Sequence, residues 1–461
     1  MNNSRYIKHL YARAGFGICF EDLHDHEHWS VRKAVKKIFK ASEKIEPITA
    51  VTENMDLRPH PKDETEDQKK TREEERVKHE KALFNAWTKQ LIETNAQLRE
   101  KMTLFWHNHF ACNINNPYYE QELNNIERAN ALGNFKTLLI AVTQSPAMLQ
   151  FLNNQQNQKV HPNENFAREL MELFTLGRGN YSEQDIKESA RAFTGWAYGG
   201  KEGEYFFKTG AHDDGIKTFM GRSANFCGED IIDIIVAQKQ TAVFISTKLY
   251  RYFVNDVPDM SHINEMANVF YNTGYEITPV LEYMFMADWF YADKNIGNLI
   301  KSPVELIIGL SRQFYITYQN PDVLVQFQQS LGQVLFRPPN VAGWPGGRSW
   351  IDSSSLMTRL RMPAIILNAG LIDFTGKAGP EDEAYLALVR KQQFDVIKRV
   401  QATPDWDRFF KAIPQNMPKK QIAEFMLEPP VNALIINEIN NAPDLKTALI
   451  QIVSTPEYQL T

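Results

Sequence analysis

The sequence predicts an all-α, multi-helix globular protein with one small β hairpin around residues 204–221. Three observations carry that expectation. Apolar residues recur at three- and four-residue spacing over most of the chain, helix start and stop signals frame those runs, and glycine-punctuated alternation is confined to GEYFFKTGAHDDGIKTFMG. With 461 residues the chain has ample length for a large buried core, and 43% apolar against 23% charged residues excludes a wholly disordered or fibrous protein. The net charge of −5 gives no global preference for nucleic acid or an anionic membrane. Cys19, Cys112 and Cys227 lie far apart with no CxxC spacing, so neither a zinc knuckle nor a disulfide framework is expected.

The chain divides by composition into N-terminal helices (1–45), a charged linker or exposed helix (46–80), a helical core carrying the chemistry-rich stretches (81–372) and a C-terminal helical region packed on that core (373–461). Residues from Arg5 to Ala41 read as two short helices broken at Gly15 and Gly17. His24, His26 and His28 would share one face of a strand and bind metal there, but the charged DLHDHEHW context favours a solvated turn. From residue 46 the composition is too polar to offset its ordering entropy except as a loop, to about Pro61, followed by an exposed helix that gains an apolar face from Val77.

In LREKMTLFWHNHFA, Met102, Phe105, Trp106 and His109 share one helix side, which is buried. His107 lies about 200° round from His109, so the two cannot chelate one ion on a regular helix. His109 is either a core histidine bonded to a carbonyl or carboxylate, or a ligand or general base. Helix then runs from Asn124 to Gln150 with breaks at Gly133 and Ser145-Pro146, followed by an amide-rich loop.

The most chemistry-rich stretch is His161 to Trp196, two helices joined at Gly177. Asn163 caps the first and Ser182, with Asp185, the second. Phe166, Leu170, Leu173 and Phe174 face a core, while Asn165, Glu169 and Glu172 share a polar face with Arg168 beside them. Beyond it, His212, Asp213 and Lys217 sit in the hairpin's turn, where Asp214-Gly215 favours a tight bend. Residues 229–314 are helical, with Glu305 a first-turn acid after Pro303. FRPPNVAGWPGGRSW is a conformationally specified loop presenting Trp344, Arg348 and Trp350, either as a binding surface or as a plug in the core. More helices follow, bounded by Pro404, Pro414, Pro418, Pro429 and Pro430. No signal-type apolar segment and no run of 18 apolar residues occurs, so the sequence as given predicts a soluble cytoplasmic protein, or an exported one if a leader was removed.

KMTLFWHNHFA, PNENFARELMELFTLG, YSEQDIKESARAFTGW, HDDGIKTFMG, KSPVELIIG and PPNVAGWPGGRSW, with HLYARAGFG and STPEYQ at the ends, resemble the bacterial family of domain of unknown function 1800 over nearly the whole chain. The resemblance implies a mostly helical bacterial protein, encoded in many members beside a phosphatase/sulfatase-like protein with domain of unknown function 1501, and often exported. This chain departs from the pattern in lacking an export signal and in carrying Asn153 where the family often has an acid.

Two functional classes follow. In the first, Glu169, Glu172, Arg168 and His109 are catalytic, Asn165 and Lys217 hold substrate, and His107, His109, Glu169, Glu172, His212 and Asp213 supply ligands to a divalent metal that activates water. Without metal, Glu169 and Glu172 share a proton as an acid/base pair. In the second, the protein is a non-catalytic module that binds a partner protein or glycan through Trp344, Arg348 and Trp350, with Glu172 paired to Arg168 and Glu169 to Arg191.

Overall fold

A computed structural model describes residues 3–26, 28–52, 54, 65–200, 203–368 and 400–461. The side chains of His24 and His26, residues 53 and 55–64 in and after the predicted loop, and the start of the region from residue 373 lie outside the described residues. The mainly helical class holds.

Helices α1 (Asn3–Ala14), α2 (Phe20–His26) and α3 (Val31–Ala41) open the chain, α1 giving way to α2 through Gly17 at φ 103°. The charged stretch becomes the long α4 (Glu66–Glu93), started by a reciprocal Thr65/Gln68 capping box. Its first turns are solvated, and Val77, Glu80, Leu83, Phe84, Trp87 and Leu91 then bury one face. Next come α5 (Gln97–His109), α6 (Pro117–Asn130), α7 (Phe135–Thr143) and α8 (Pro146–Phe151), the last two capped by Asn134 and Ser145.

Asn163 caps α9 (Glu164–Glu169) as the sequence predicts, but the helix does not continue as α: Leu170–Thr175 is π-helical, with Leu176 N bonded back to Met171 O at 2.9 Å. Gly177, at φ 80°, ends it, and α10 (Glu183–Ala192) starts on the expected Ser182/Asp185 box.

The predicted ribbon is two consecutive hairpins: β1 (Trp196–Gly199) pairs with β2 (Glu204–Phe207), and β3 (Lys217–Phe219) with β4 (Arg222–Ala224). The second hairpin turns at Met220 and Gly221, both at positive φ as a primed turn requires, not at Asp214-Gly215. Asp213 instead accepts from Gly215 N in the link between the hairpins.

Helices α11 (Gly228–Val236), α12 (Lys239–Phe253), α13 (Met260–Asn272), α14 (Ile277–Met286) and α15 (Pro303–Gln313) follow. A two-residue β5 (Thr317–Tyr318), α16 (Asp322–Leu331) and α17 (Ser353–Leu367) come next. The last elements are β6 (Ala402–Thr403), paired with β5, and α18 (Trp406–Ala412), α19 (Lys419–Met426), α20 (Ala433–Asn441) and α21 (Leu445–Val453). One apolar core runs from Ile7 to Tyr458, so both ends of the chain pack into the same interior. A second cluster, including Phe84, Trp87, Val304 and Phe336, sits under α4. No helix among the described residues is long and apolar enough to cross a membrane.

Candidate functional site

The polar face of α9 is neutralised locally. Arg168 turns to Glu183 (3.0 Å) and Glu164 (3.3 Å), not to Glu172. Glu172 accepts from Arg178 at 2.7 Å and from the Tyr181 hydroxyl at 3.0 Å. Arg191 pairs with Asp213 at 2.7 Å and Glu188 at 3.0 Å, leaving Glu169 without it. Burial, and then the neighbouring Glu172 charge, raise the Glu169 carboxyl above the usual range. Asn165 is exposed, its amide donating to Leu152 O at 3.3 Å.

The proposed metal ligands do not converge: among the described residues no three His, Cys, Asp or Glu side chains are grouped to hold an ion. The reason lies in what each is bonded to. His212 Nδ1 faces Thr194 O at 2.9 Å, and Lys217, fully buried, donates to Asp213 O and to Asn225 Oδ1. His107, Asn108 and His109 grip three different segments. His107 Nε2 accepts from Phe336 N at 3.0 Å, with Nδ1 3.5 Å from Glu127. Asn108 Oδ1 accepts from Trp344 N at 2.7 Å. His109 Nε2 donates to Phe174 O at 3.0 Å, which makes Nδ1 the acceptor for Lys248 Nζ, also at 3.0 Å. Burial and the Lys248 charge hold His109 well below the ordinary histidine range, so it is neutral. The three residues therefore act as a clamp that ties the π-helical segment and the 336–350 loop to α5.

That clamp also settles where the aromatic loop points. Trp344 and Trp350 are buried, and only Arg348 of the three predicted contact residues is exposed. Arg337, from the same loop, lies between two buried carboxylates, bonded to Glu120 and, at 2.6 Å, to Glu80. Burial pushes Glu120 up to about 8, against the pull of Arg337.

Elsewhere the fold gathers charge that the sequence reading passed over. A cavity of about 450 Å³ lies between α1, the Gly15–Cys19 loop, α15, the end of α19 and Tyr458, with Lys8, Lys101, Lys301, Glu305, Arg312 and Glu428 in its wall. Glu305, Gly309 and Arg312 fall at i, i+4 and i+7, so one face of α15 forms its floor. Gly309 lets the floor approach the Gly15–Cys19 loop closely, since a Cβ there would lie 3.2 Å from Phe16 O. Behind the wall, Arg13 binds Asn295 O at 2.8 Å and Arg359 binds Lys301 O at 2.9 Å. Each of these arginines keeps two buried nitrogens with no hydrogen-bond partner among the described residues.

Six poorly exposed cations (Lys8, Arg13, Lys101, Lys301, Arg312, Arg359) thus surround two poorly exposed carboxylates, Glu305 and Glu428. Glu305 is engaged by Lys101 and by Ser302 N at 2.7 Å, and Glu428 Oε1 lies 3.9 Å from Lys8 with Oε2 unpartnered. Burial lowers Lys8 and Lys101 and takes Lys301 to about 8; the Lys8 and Lys101 charges add to the Lys301 shift and Glu428 and Glu305 oppose it. Arg13, Arg312 and Arg359 are each drawn down to about 10, again chiefly by burial. Arg312 bonds Leu91, Ile92 and Thr94 carbonyls through Nη1 alone, leaving Nε and Nη2 without a partner among the described residues.

The protein is mainly helical, and its cavity is lined by five cations, Lys8, Lys101, Lys301, Arg312 and Arg408, and four carboxylates, Asp22, Glu93, Glu305 and Glu428. The model of the family described as protein of unknown function (DUF1800) matches residues 9–460, and the chain belongs to that family. No curated protein and no solved structure matches. The cavity wall draws on HLYARAGFG, KMTLFWHNHFA and KSPVELIIG, so stretches that carry the family resemblance meet at one place.

Proposed function

We propose that this protein binds a small anion in the cavity along α15. The lining as a whole is nearly balanced, with Arg408, Asp22 and Glu93 at its exposed rim, but its poorly exposed groups are four cations (Lys8, Lys101, Lys301, Arg312) against two carboxylates (Glu305, Glu428). That imbalance supports the reading, since removing charges from water costs several kcal/mol per ion unless counter-charge is supplied. A cavity of about 450 Å³ is also of ligand size. Phe16, Ile18 and Phe425 give it apolar surface for the body of such a molecule. Under the same proposal, a phosphatase/sulfatase-like partner with domain of unknown function 1501, which the family resemblance implies, would release anions of the kind such a cavity accepts.

The test is thermal unfolding with phosphate, sulfate or 2-oxoglutarate against sodium chloride at matched ionic strength. Binding at 100 times Kd stabilises by about 2.7 kcal/mol. The shift is expected in the native chain and lost in Lys301→Met; no selective shift with any of the three anions would refute the reading.

A second reading, acid/base hydrolysis at Glu169 and Glu172, is favoured by the raised Glu169 carboxyl at the start of a π-helical segment. It requires Glu169→Gln, not Lys301→Met, to abolish the anion-dependent shift. The divalent-ion form of that hydrolase has no support in the grouping of side chains, and neither tryptophan presents a surface for the partner-protein or glycan module.

A further inference from the structure

Resting on the anion-binding reading, we propose that Lys301 is an imine-forming amine and that the cavity's ligand is an oxo acid, a small molecule carrying a ketone or aldehyde carbonyl and a carboxylate.

The three cavity lysines differ in how fully their ammonium groups are engaged. Lys8 Nζ donates to Glu424 O at 2.6 Å and Leu427 O at 2.5 Å and faces Glu428 at 3.9 Å, so it caps the end of α19 with two of its three donors used and a carboxylate beside it. Lys101 is held in its ion pair with Glu305, between the Phe16 and Tyr252 rings. Lys301 makes one hydrogen bond, to Tyr458 O at 2.8 Å, and packs over the Tyr458 ring at 4.0 Å. Two of its three amine positions therefore carry no hydrogen bond among the described residues, and Lys301 lines the cavity, while Arg359 bonds its backbone carbonyl.

A lysine becomes a nucleophile when it is desolvated beside other cations, since only the neutral amine has a lone pair to donate. Lys301 meets both conditions, lying within electrostatic reach of Lys8 and Lys101, and at about 8 a useful fraction of it is neutral near physiological pH. At the far end of the floor Arg312 offers the unpartnered fork that a carboxylate accepts. Lys301 and Arg312 line the same cavity, which assigns the carbonyl of such an acid to the Lys301 end and its carboxylate to the Arg312 end.

The step balances without a co-reactant. The amine lone pair adds to the carbonyl carbon as the C–O π bond opens. Both amine protons pass to that oxygen, which leaves as water, and a C=N bond remains. No atom is oxidised or reduced.

The experiment treats the full chain with 2-oxoglutarate and sodium borohydride and maps the reduced adduct by peptide mass. One adduct per chain is expected, on Lys301. Lys301→Arg keeps the cation and is expected to retain the 2-oxoglutarate thermal shift while losing the adduct. Lys248 is an internal control: burial takes it also to about 8, but it does not line the cavity and is expected to stay unmodified. A thermal shift with no adduct on Lys301, or equal modification of Lys248 and Lys301, overturns the imine and leaves anion binding standing. Absence of both shift and adduct overturns the two together.

Discussion

His109 and Lys248 show how a reactive-looking pair can be fully occupied by structure. The π-helical segment ends with carbonyls that have no intrahelical partner, and Phe174 O and Leu173 O are taken by His109 and Lys248, which also bond each other. Replacing His109 with Leu leaves Phe174 O and one Lys248 donor unsatisfied in a buried place, at about 1 to 3 kcal/mol for each such group. We expect His109→Leu to lower stability in urea by about 2 to 3 kcal/mol with anion binding intact. Retained stability with lost binding would instead put His109 back in a functional site. Its neutrality was not legible from the spacing that placed it on the buried face of α5, because the cation opposite it comes from α12, 139 residues further on.

At the scale of elements, the clamp from α5 explains the glycine in the AGWPGG loop. Gly343 sits at φ 78°, and a Cβ there would lie 2.2 Å from Asn108 Oδ1 and 2.4 Å from Asn108 O. Gly17 has a comparable φ of 103° but open space around it. Gly17→Ala therefore carries backbone strain alone, about 1 to 2 kcal/mol, whereas Gly343→Ala adds a clash with backbone and breaks the seat of Trp344. Chemical denaturation of the two variants is expected to show Gly343→Ala as the more destabilised; equal losses would mean that the clamp does not fix the loop.

Helix starts at Ser182 and Asn163 were readable because a cap is a local matter of four residues. The π-helical turn was not, since its apolar spacing is that of an ordinary helix. Nor was the cavity: Lys8 and Lys301 are brought together only by tertiary packing. The usable signal was a cation at a core-facing position, as with Lys8 and Arg13 among Ile7, Leu10 and Ala14 in α1.

For the whole molecule, buried groups displaced in opposite senses shape stability against pH. Glu120, enclosed with Glu80 and Arg337, titrates near 8 when folded and near 4.3 when unfolded. Between those values the native state holds a proton that the unfolded chain has released, so stability falls as pH rises through that window. Lys301 and Lys248 titrate near 8 when folded and near 10.4 when unfolded. Above 8 it is the unfolded chain that holds the extra protons, so stability rises. Below about 6.5 the buried neutral His109 works against the Glu120 effect, because the unfolded chain there binds a proton that the fold does not. The descent therefore belongs to the window from about 6.5 to 8, and with the rise above 8 it gives a minimum near pH 8, with slopes of up to about 1.4 kcal/mol per pH unit for each group. Urea denaturation from pH 5 to 10 is expected to trace that minimum. Glu120→Gln is expected to flatten the descending limb alone and Lys301→Met to weaken the ascending limb alone. If Glu120→Gln leaves the descending limb unchanged, Glu120 is ionised in the fold and Arg337 carries its charge; if ligand then deepens stability most on the acid side of 8, the anion is being held by the protonated form of Lys301.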